Sequence, residues 1–262
     1  MIGVHRRGER KPIKSMRYLI LSDIHANKTA LETALDAAKG RWDRAVCLGD
    51  LVGYGPDPNE VIARVQQLEA VTIRGNHDKA IGGVMEGDDF NPIAQFAVQW
   101  SREKLTAENQ RYLSALPRGP KALDGFTFVH GALHDEDEYV FSPALAVDGL
   151  VNAPTPVIFF GHTHLQGGFS FRDDNVMVLH TTPTMGRSSL VLPIESGTTY
   201  LLNPGSIGQP RDGDPRAAFA IFDTDSRAVE YWRVPYDIAD VQARMVAAGL
   251  PEPLILRLTF GR

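Results

Sequence analysis

Five times along this chain an apolar run stops at a tight turn, and a side chain with an oxygen or nitrogen donor follows at once. "YLILSDIHAN" ends on Asp23 and His25, and "RAVCLGDLVGYG" on Asp50. "AVTIRGNHDK" delivers Asn76, His77 and Asp78, "FTFVHGAL" delivers His130, and "PVIFFGHTH" delivers His162 and His164. Short apolar runs bounded by Gly read as buried strands. Residues i and i+2 of an extended segment project to the same side. His162 and His164 can therefore aim at one place or at two neighbouring places. In open α/β sheets ligands bind outside the carboxyl ends of the strands, so these five loops can meet in one cleft.

Between the runs the apolar spacing turns helical. Helices are predicted over 27–39, with Asn27 as its cap, over 57–69, opened by Pro58 and Asn59, and over 92–105 and 106–116. The second half is strand-rich: "FTFVHG", "PVIFFG", "GGFSFR", "VMVLHT", "TTYLLN", "AAFAIFD" and "AVEYWRV", the last two forming a hairpin that turns at Thr224 to Ser226. A last amphipathic helix over 237–249 closes the chain. Strand–helix alternation followed by many strands predicts sheets covered by helices. A length of 262 residues fits one large α/β sandwich with a sizeable core. Residues 16–262 are taken as that single domain. Residues 1–15, "MIGVHRRGERKPIKS", read as a basic, poorly ordered tail with no apolar signal-peptide core behind it.

Charge and cysteine narrow the function classes. A formal net charge of −5 argues against a stable nucleic-acid complex, because non-specific affinity for phosphate backbones comes from basic surfaces. No stretch has the length and apolarity to span a bilayer, and no membrane partner is expected. Cys47 is the single cysteine, so no internal disulfide can form and a reduced, cytoplasmic compartment fits.

Taken singly, the strand-end motifs are weak. Asp in D-x-H is a common helix cap, and G-N-H-D suits a plain turn. Only G-H-T-H is moderately specific. Their order and shared context are what carry weight. The series D-x-H, G-D, G-N-H-D, H, G-H-x-H resembles the calcineurin-like metallophosphoesterase superfamily, from about Met16 to about Asp223. The strings "GYGPDPNEV" and "NPGSIGQPRDGDPRAAFAIFD" are similar to its small bacterial and archaeal members, the predicted phosphodiesterases. The resemblance implies a four-layer α/β/β/α sandwich of two mixed sheets flanked by helices, with a two-metal site at the strand ends. It implies one ion on Asp23, His25, Asp50 and His164, and the other on Asp50, Asn76, His130 and His162, with Asp50 bridging.

Imidazole, carboxylate and amide oxygen without thiolate suit Mn, Fe, Ni or Zn, divalent or mixed-valence; manganese is the first expectation. Two divalent ions against the carboxylates of Asp23 and Asp50 leave a positive surplus for hydroxide and a phosphoryl oxygen. Ions about 3.5–4 Å apart can generate hydroxide at neutral pH and clamp the reacting oxygens. The resemblance gives His77 a substrate-facing role, as hydrogen-bond donor or general acid. Asp78 either orients His77 or caps a helix. In the protein serine/threonine phosphatase branch an Asp-Arg pair follows three residues after the bridging aspartate; here Gly53 and Tyr54 stand there. The arginine that would clamp a monoester dianion is absent from that place, with Arg74, Arg187 and Arg211 as substitutes. An open Gly53-Tyr54-Gly55 loop leaves room for a second ester group, and Asn203, Ser206 and Arg211 are expected to touch substrate. The expected function is metal-dependent hydrolysis of small phosphodiesters, nucleotides among them. The alternatives are a phosphatase of phosphoproteins or dinucleoside polyphosphates, and a non-catalytic scaffold of the same fold.

Overall fold

In β1 (Arg17–Leu21), Leu19 and Leu21 join one apolar cluster while Tyr18 and Ile20 join another. All four are fully buried. A strand apolar on both faces needs a covering layer on each side. The computed structural model describes residues 15–262, and the expected basic tail lies outside the described residues, Ser15 apart.

β1 runs parallel to β2 (Arg44–Cys47), and β2 runs parallel to β3 (Val71–Thr72). On its other side β1 pairs antiparallel with β11 (Ala217–Asp223), which pairs with β12 (Ala228–Val234), which pairs with β9 (Ser189–Pro193). The order of this first sheet is β3-β2-β1-β11-β12-β9. The second sheet contains β4 (Lys121–Leu123), β5 (Phe126–Phe128), β6 (Val157–Phe159), β7 (Gly167–Arg172), β8 (Asn175–Leu179) and β10 (Thr199–Asn203), in the order β4-β5-β6-β10-β7-β8. Within it β5, β6 and β10 are parallel neighbours. Both sheets are mixed.

Phe126, Phe128, Phe159, Tyr200 and Leu202 of the second sheet pack against Tyr18, Ile20, Val46, Phe222 and Tyr231 of the first. Burying such side chains stabilises by roughly 1.5–3 kcal/mol each. α1 (Lys28–Ala38) and α2 (Pro58–Gln67) cover the outer face of the first sheet. α1 buries Ala30, Leu31, Ala34, Leu35 and Ala38 at helical spacing, and its first turn is capped by Asn27, whose side chain accepts from the Ala30 amide at 3.0 Å. α6 (Pro143–Val151) covers the second sheet, packing Ala146 and Leu150 on Ile158, Phe160 and Leu201. The four-layer α/β/β/α sandwich is therefore formed. α3 (Asn76–Gly82), α4 (Pro92–Lys104) and α5 (Ala107–Ser114) follow β3.

Two helices lie beyond the first sheet's last strand. α7 (Ile238–Ala247) does not close the chain as expected, because α8 (Glu252–Phe260) follows it. Together with α4 they form a separate apolar cluster around Ala94, Val241, Met245, Leu254 and Tyr54. No helix among the described residues is long and apolar enough to cross a membrane.

Candidate metal centre

β1, β2 and β3 are parallel to one another, and so are β5, β6 and β10, so six loops leave at carboxyl strand ends. Asp23 and His25 follow β1, Asp50 follows β2, and Asn76 and His77 open α3 after β3. His130 follows β5, and His162 and His164 follow β6. The structure gathers these side chains into two groups that share one carboxylate. Asp23, His25, Asp50 and His164 form the first, and Asp50, His130 and His162 the second. The Asn76 amide oxygen lies 3.3 Å from His130 Nε2, beside the second group.

Each of the four clustered histidines spends one ring nitrogen on a backbone carbonyl. His25 Nδ1 lies 3.1 Å from the Val52 oxygen, and His130 Nδ1 lies 2.9 Å from that of Leu48. His162 Nε2 lies 2.9 Å from the Asp137 oxygen, and His164 Nδ1 2.6 Å from that of Gln209. A carbonyl can only accept, so these nitrogens carry the proton, and the opposite nitrogen of each neutral ring is left with a lone pair. His25 Nε2 and His164 Nε2 face each other at 3.0 Å, and His164 Nε2 lies 3.3 Å from Asp23 Oδ1. Asp23 Oδ1 is buried without a hydrogen-bond partner. Lone pairs and carboxylate oxygens converging without a proton to share are the donor set of a cation, oriented by outer hydrogen bonds as metal-binding imidazoles are. Asp50 divides its two oxygens. Oδ1 accepts from the His77 amide at 2.9 Å, while Oδ2 lies 3.7 Å from His25 Nε2 and 3.4 Å from His130 Nε2, between the two groups.

The electrostatics agree with that fit. Burial alone would raise the carboxyls of Asp23 and Asp50, but surrounding imidazoles, His164 for Asp23 and His130 for Asp50, hold both below the ordinary range. Burial lowers His25 and His164, and lowers His162 to about 3, which favours the neutral, metal-binding ring. His130 goes the other way. Burial opposes its charge, yet the Asp50 carboxylate outweighs burial and pushes it up to about 10. The cluster stabilises positive charge at its centre.

Holding these donors costs backbone strain. Asp23, His25, Asp50, His162 and His164 all have positive φ, between 48° and 65°. Such conformations cost non-glycine residues about 1–3 kcal/mol each and persist where surrounding structure enforces them. Two glycines permit close approach. A Cβ on Gly75 would collide with Asp50 Oδ1, and one on Gly53, at φ 90°, would sit 2.6 Å from His77 Nδ1.

His77 stands beside the two groups. Its ring centroid lies 4.4 Å from that of Tyr54 and 4.9 Å from that of Phe90, and its buried Nδ1 has no partner. Burial, opposed by Asp50, lowers it to about 4. Asp78 does not orient that ring. Its carboxylate accepts from the backbone amides of Gly75 and Leu51 at 3.0 and 2.9 Å, so it caps α3 and ties the β2 loop to it. Two expected substrate contacts are also corrected. The Asn203 amide is fully buried and donates to Gly161 O and Thr163 Oγ1, while Ser206 Oγ donates to Asp23 O and accepts from the Gln209 amide. Both brace the ligand loops.

The Gly53-Tyr54-Gly55 loop is packed rather than open. Tyr54 is buried with its ring 4.8 Å from that of His25. Of the three arginines offered as a clamp, Arg74 is bound to Glu136 at 2.7 Å, and Arg187 is exposed on the turn before β9. Arg211 faces the cleft, its guanidinium 5.9 Å from the Tyr54 ring centroid and its charge felt by His77 and His164. The structure adds Glu136, Asp137 and Tyr139 to the surroundings of the site. Glu136 pairs with Arg74 and Lys79, which fixes the segment whose Asp137 carbonyl holds His162 and whose Tyr139 ring stacks on it at 3.8 Å. Nothing in "HDEDEYV" signals this, since its acids read as a solvated surface. A cavity of about 290 Å³ adjoins Asn76 and His162 and is walled by Tyr54, His77, Phe90 and Tyr139.

Comparison with known proteins agrees with this geometry. The crystal structure of a metallophosphoesterase from Sphaerobacter thermophilus is 44% identical, with a TM-score of 0.80, over 95% of this chain and 100% of that one. An uncharacterized protein of Methanocaldococcus jannaschii is 34% identical over 258 residues, 95% of this chain and 100% of its own. Phosphodiesterase YfcE of Escherichia coli is 22% identical over 225 residues, 82% of this chain and 91% of its own. The sequence profile of the Calcineurin-like phosphoesterase superfamily domain matches residues 16–227. With the superfamily's strand-end donors gathered at one centre, the chain belongs to the calcineurin-like phosphoesterase superfamily.

Proposed function

We propose that this phosphoesterase hydrolyses small phosphodiesters at a centre that holds two divalent ions, manganese first, with iron, zinc or nickel suited to the same donors. The observation that carries the diester reading is a pair of recesses that meet at Tyr54 and Asn91. One is the aromatic cavity of about 290 Å³ beside Asn76 and His162. The other is a groove of about 580 Å³ between α4 and α8. A diester has two organic arms, and two recesses accommodate both; a monoester uses one. The distant likeness to a protein named as a phosphodiesterase supports the same reading. We take the setting to be cytoplasmic, in keeping with the single, buried thiol of Cys47.

When bound, a pair of divalent ions supplies Lewis acidity, lowering the pKa of water and neutralising phosphoryl oxygens. Asp23, His25 and His164 would hold one, and Asn76, His130 and His162 the other, with Asp50 between them. His77 is an uncharged ring at neutral pH, since burial lowers its pKa to about 4. It has one N–H to give to a phosphoryl or leaving oxygen. Tyr54, Phe90 and Tyr139 line the cavity beside it, and Arg211 adds a positive charge nearby.

Arg211 favours a second reading, phosphomonoester hydrolysis, because a guanidinium in the cleft is the usual partner of a phosphate dianion. The two readings separate on one comparison. With the same metal and pH, kcat/KM for bis(p-nitrophenyl) phosphate should exceed that for p-nitrophenyl phosphate. Equal or greater efficiency on the monoester would replace the diester reading with the monoester one.

A further inference from the structure

The two recesses differ in charge. The metal-side cavity carries the carboxylates Asp89 and Asp137 among its aromatic rings, that of Asp137 paired with Lys79. The groove across Tyr54 is lined by Asn91, Ile93, Leu254, Arg257 and Arg262, with no Asp or Glu side chain in its wall. Several arginines elsewhere in the fold hold acids: Arg74 pairs with Glu136, Arg216 with Asp214, Arg233 with Asp212 and Arg244 with Asp57. Among the described residues, no Asp or Glu side chain pairs with Arg211, Arg257 or Arg262. Arg257 Nε donates to the backbone oxygen of Arg262, which uses one of its five N–H groups. Arg211 Nη2 donates to Gln209 Oε1 at 3.1 Å, and its Nε is buried without a partner.

These cations also crowd one another. The phenol of Tyr54 lies within the field of both Arg211 and Arg257. Arg257 is lowered from its ordinary value, by burial first and then by the charge of Arg211. Like charges within one another's field, next to apolar Ile93 and Leu254, are unfavourable unless an anion joins them.

We infer that the groove between α4 and α8 is a subsite for a second phosphate, carried on the substrate arm that crosses Tyr54. The inference rests on the phosphodiester reading and deepens it. A guanidinium fork matches phosphate oxygens in pairs, which favours phosphate over an uncharged polar group. Ile93 and Leu254 would cover the apolar part of the same arm. The aromatic cavity on the other side, with Asp89 in its wall, suits the uncharged arm. The substrate class is then a phosphodiester with an additional phosphate on one arm.

The test is calorimetric binding to the manganese-loaded protein, with thymidine 5′-monophosphate and thymidine 3′,5′-bisphosphate as probes. The second phosphate gains charge-assisted hydrogen bonds, so the bisphosphate should bind about tenfold tighter or better. Arg257→Gln and, separately, the exposed Arg262→Gln should each narrow that preference, and Arg257→Lys should keep part of it. Equal affinities in the wild type would overturn the subsite, as would an undiminished preference in both glutamine variants. Because binding is read without turnover, a protein that prefers the bisphosphate yet cleaves no diester would refute the phosphodiester reading and leave the subsite standing.

Discussion

Each side chain at the centre has one task, fixed by where its second polar atom is tied. His77 contributes its backbone amide to Asp50, and its ring packs edge-on against His25 without joining either ligand group. His77→Ala should therefore retain wild-type metal content while turnover falls roughly 10²–10⁴-fold, the usual range for a lost acid–base or donor group. Loss of metal in that variant would make His77 a ligand. Asp78 is tied differently, through backbone amides of Gly75 and Leu51. Asp78→Ala strands those buried donors and should destabilise the protein by about 2–4 kcal/mol in urea unfolding. Unchanged stability with reduced turnover would instead return Asp78 to the role of orienting His77.

At the scale of elements, the segment between β5 and α6 is held by ion pairs rather than by regular structure. Burial would raise the Glu136 carboxyl, but the Arg74 hydrogen bond and the Lys79 charge lower it beneath its ordinary 4.5. A carboxylate lowered in the folded state contributes stability that is present above its unfolded value and lost as pH falls through the folded one. The stability difference between wild type and Glu136→Gln should thus shrink as pH drops from 6 toward 3, as thermal unfolding in metal-free buffer would show. A constant difference would mean that the pairing does not hold this segment. Sequence legibility follows the same divide. Strands β1, β2 and β6 are apolar runs closed by polar turns, so they and the donors after them could be read directly. α3 could not, because "NHDKAIG" is too short to show a periodicity and its polar residues mimic a turn. α6 and α8, "PALAVDGLV" and "EPLILRLTF", are too uniformly apolar for a helical face to stand out. Asn203 and Ser206 were misread for a physical reason: polar residues in a glycine-rich loop look available for ligands until burial is known.

Across the whole molecule, packing two mixed sheets face to face brings the carboxyl ends of β1, β2 and β3 to those of β5, β6 and β10. Neither sheet carries a complete donor set. The first supplies Asp23, His25, Asp50 and Asn76, the second His130, His162 and His164, and Asp50 belongs to both groups. A shared carboxylate predicts that the two proposed ions come and go together. The most direct measurement is metal content per chain by mass spectrometry, after manganese loading and gel filtration, for wild type and Asp50→Asn. Two ions per chain are expected in the wild type, with loss of both in the variant. Saturation at one ion, or a variant that keeps one ion at wild-type affinity, would contradict that.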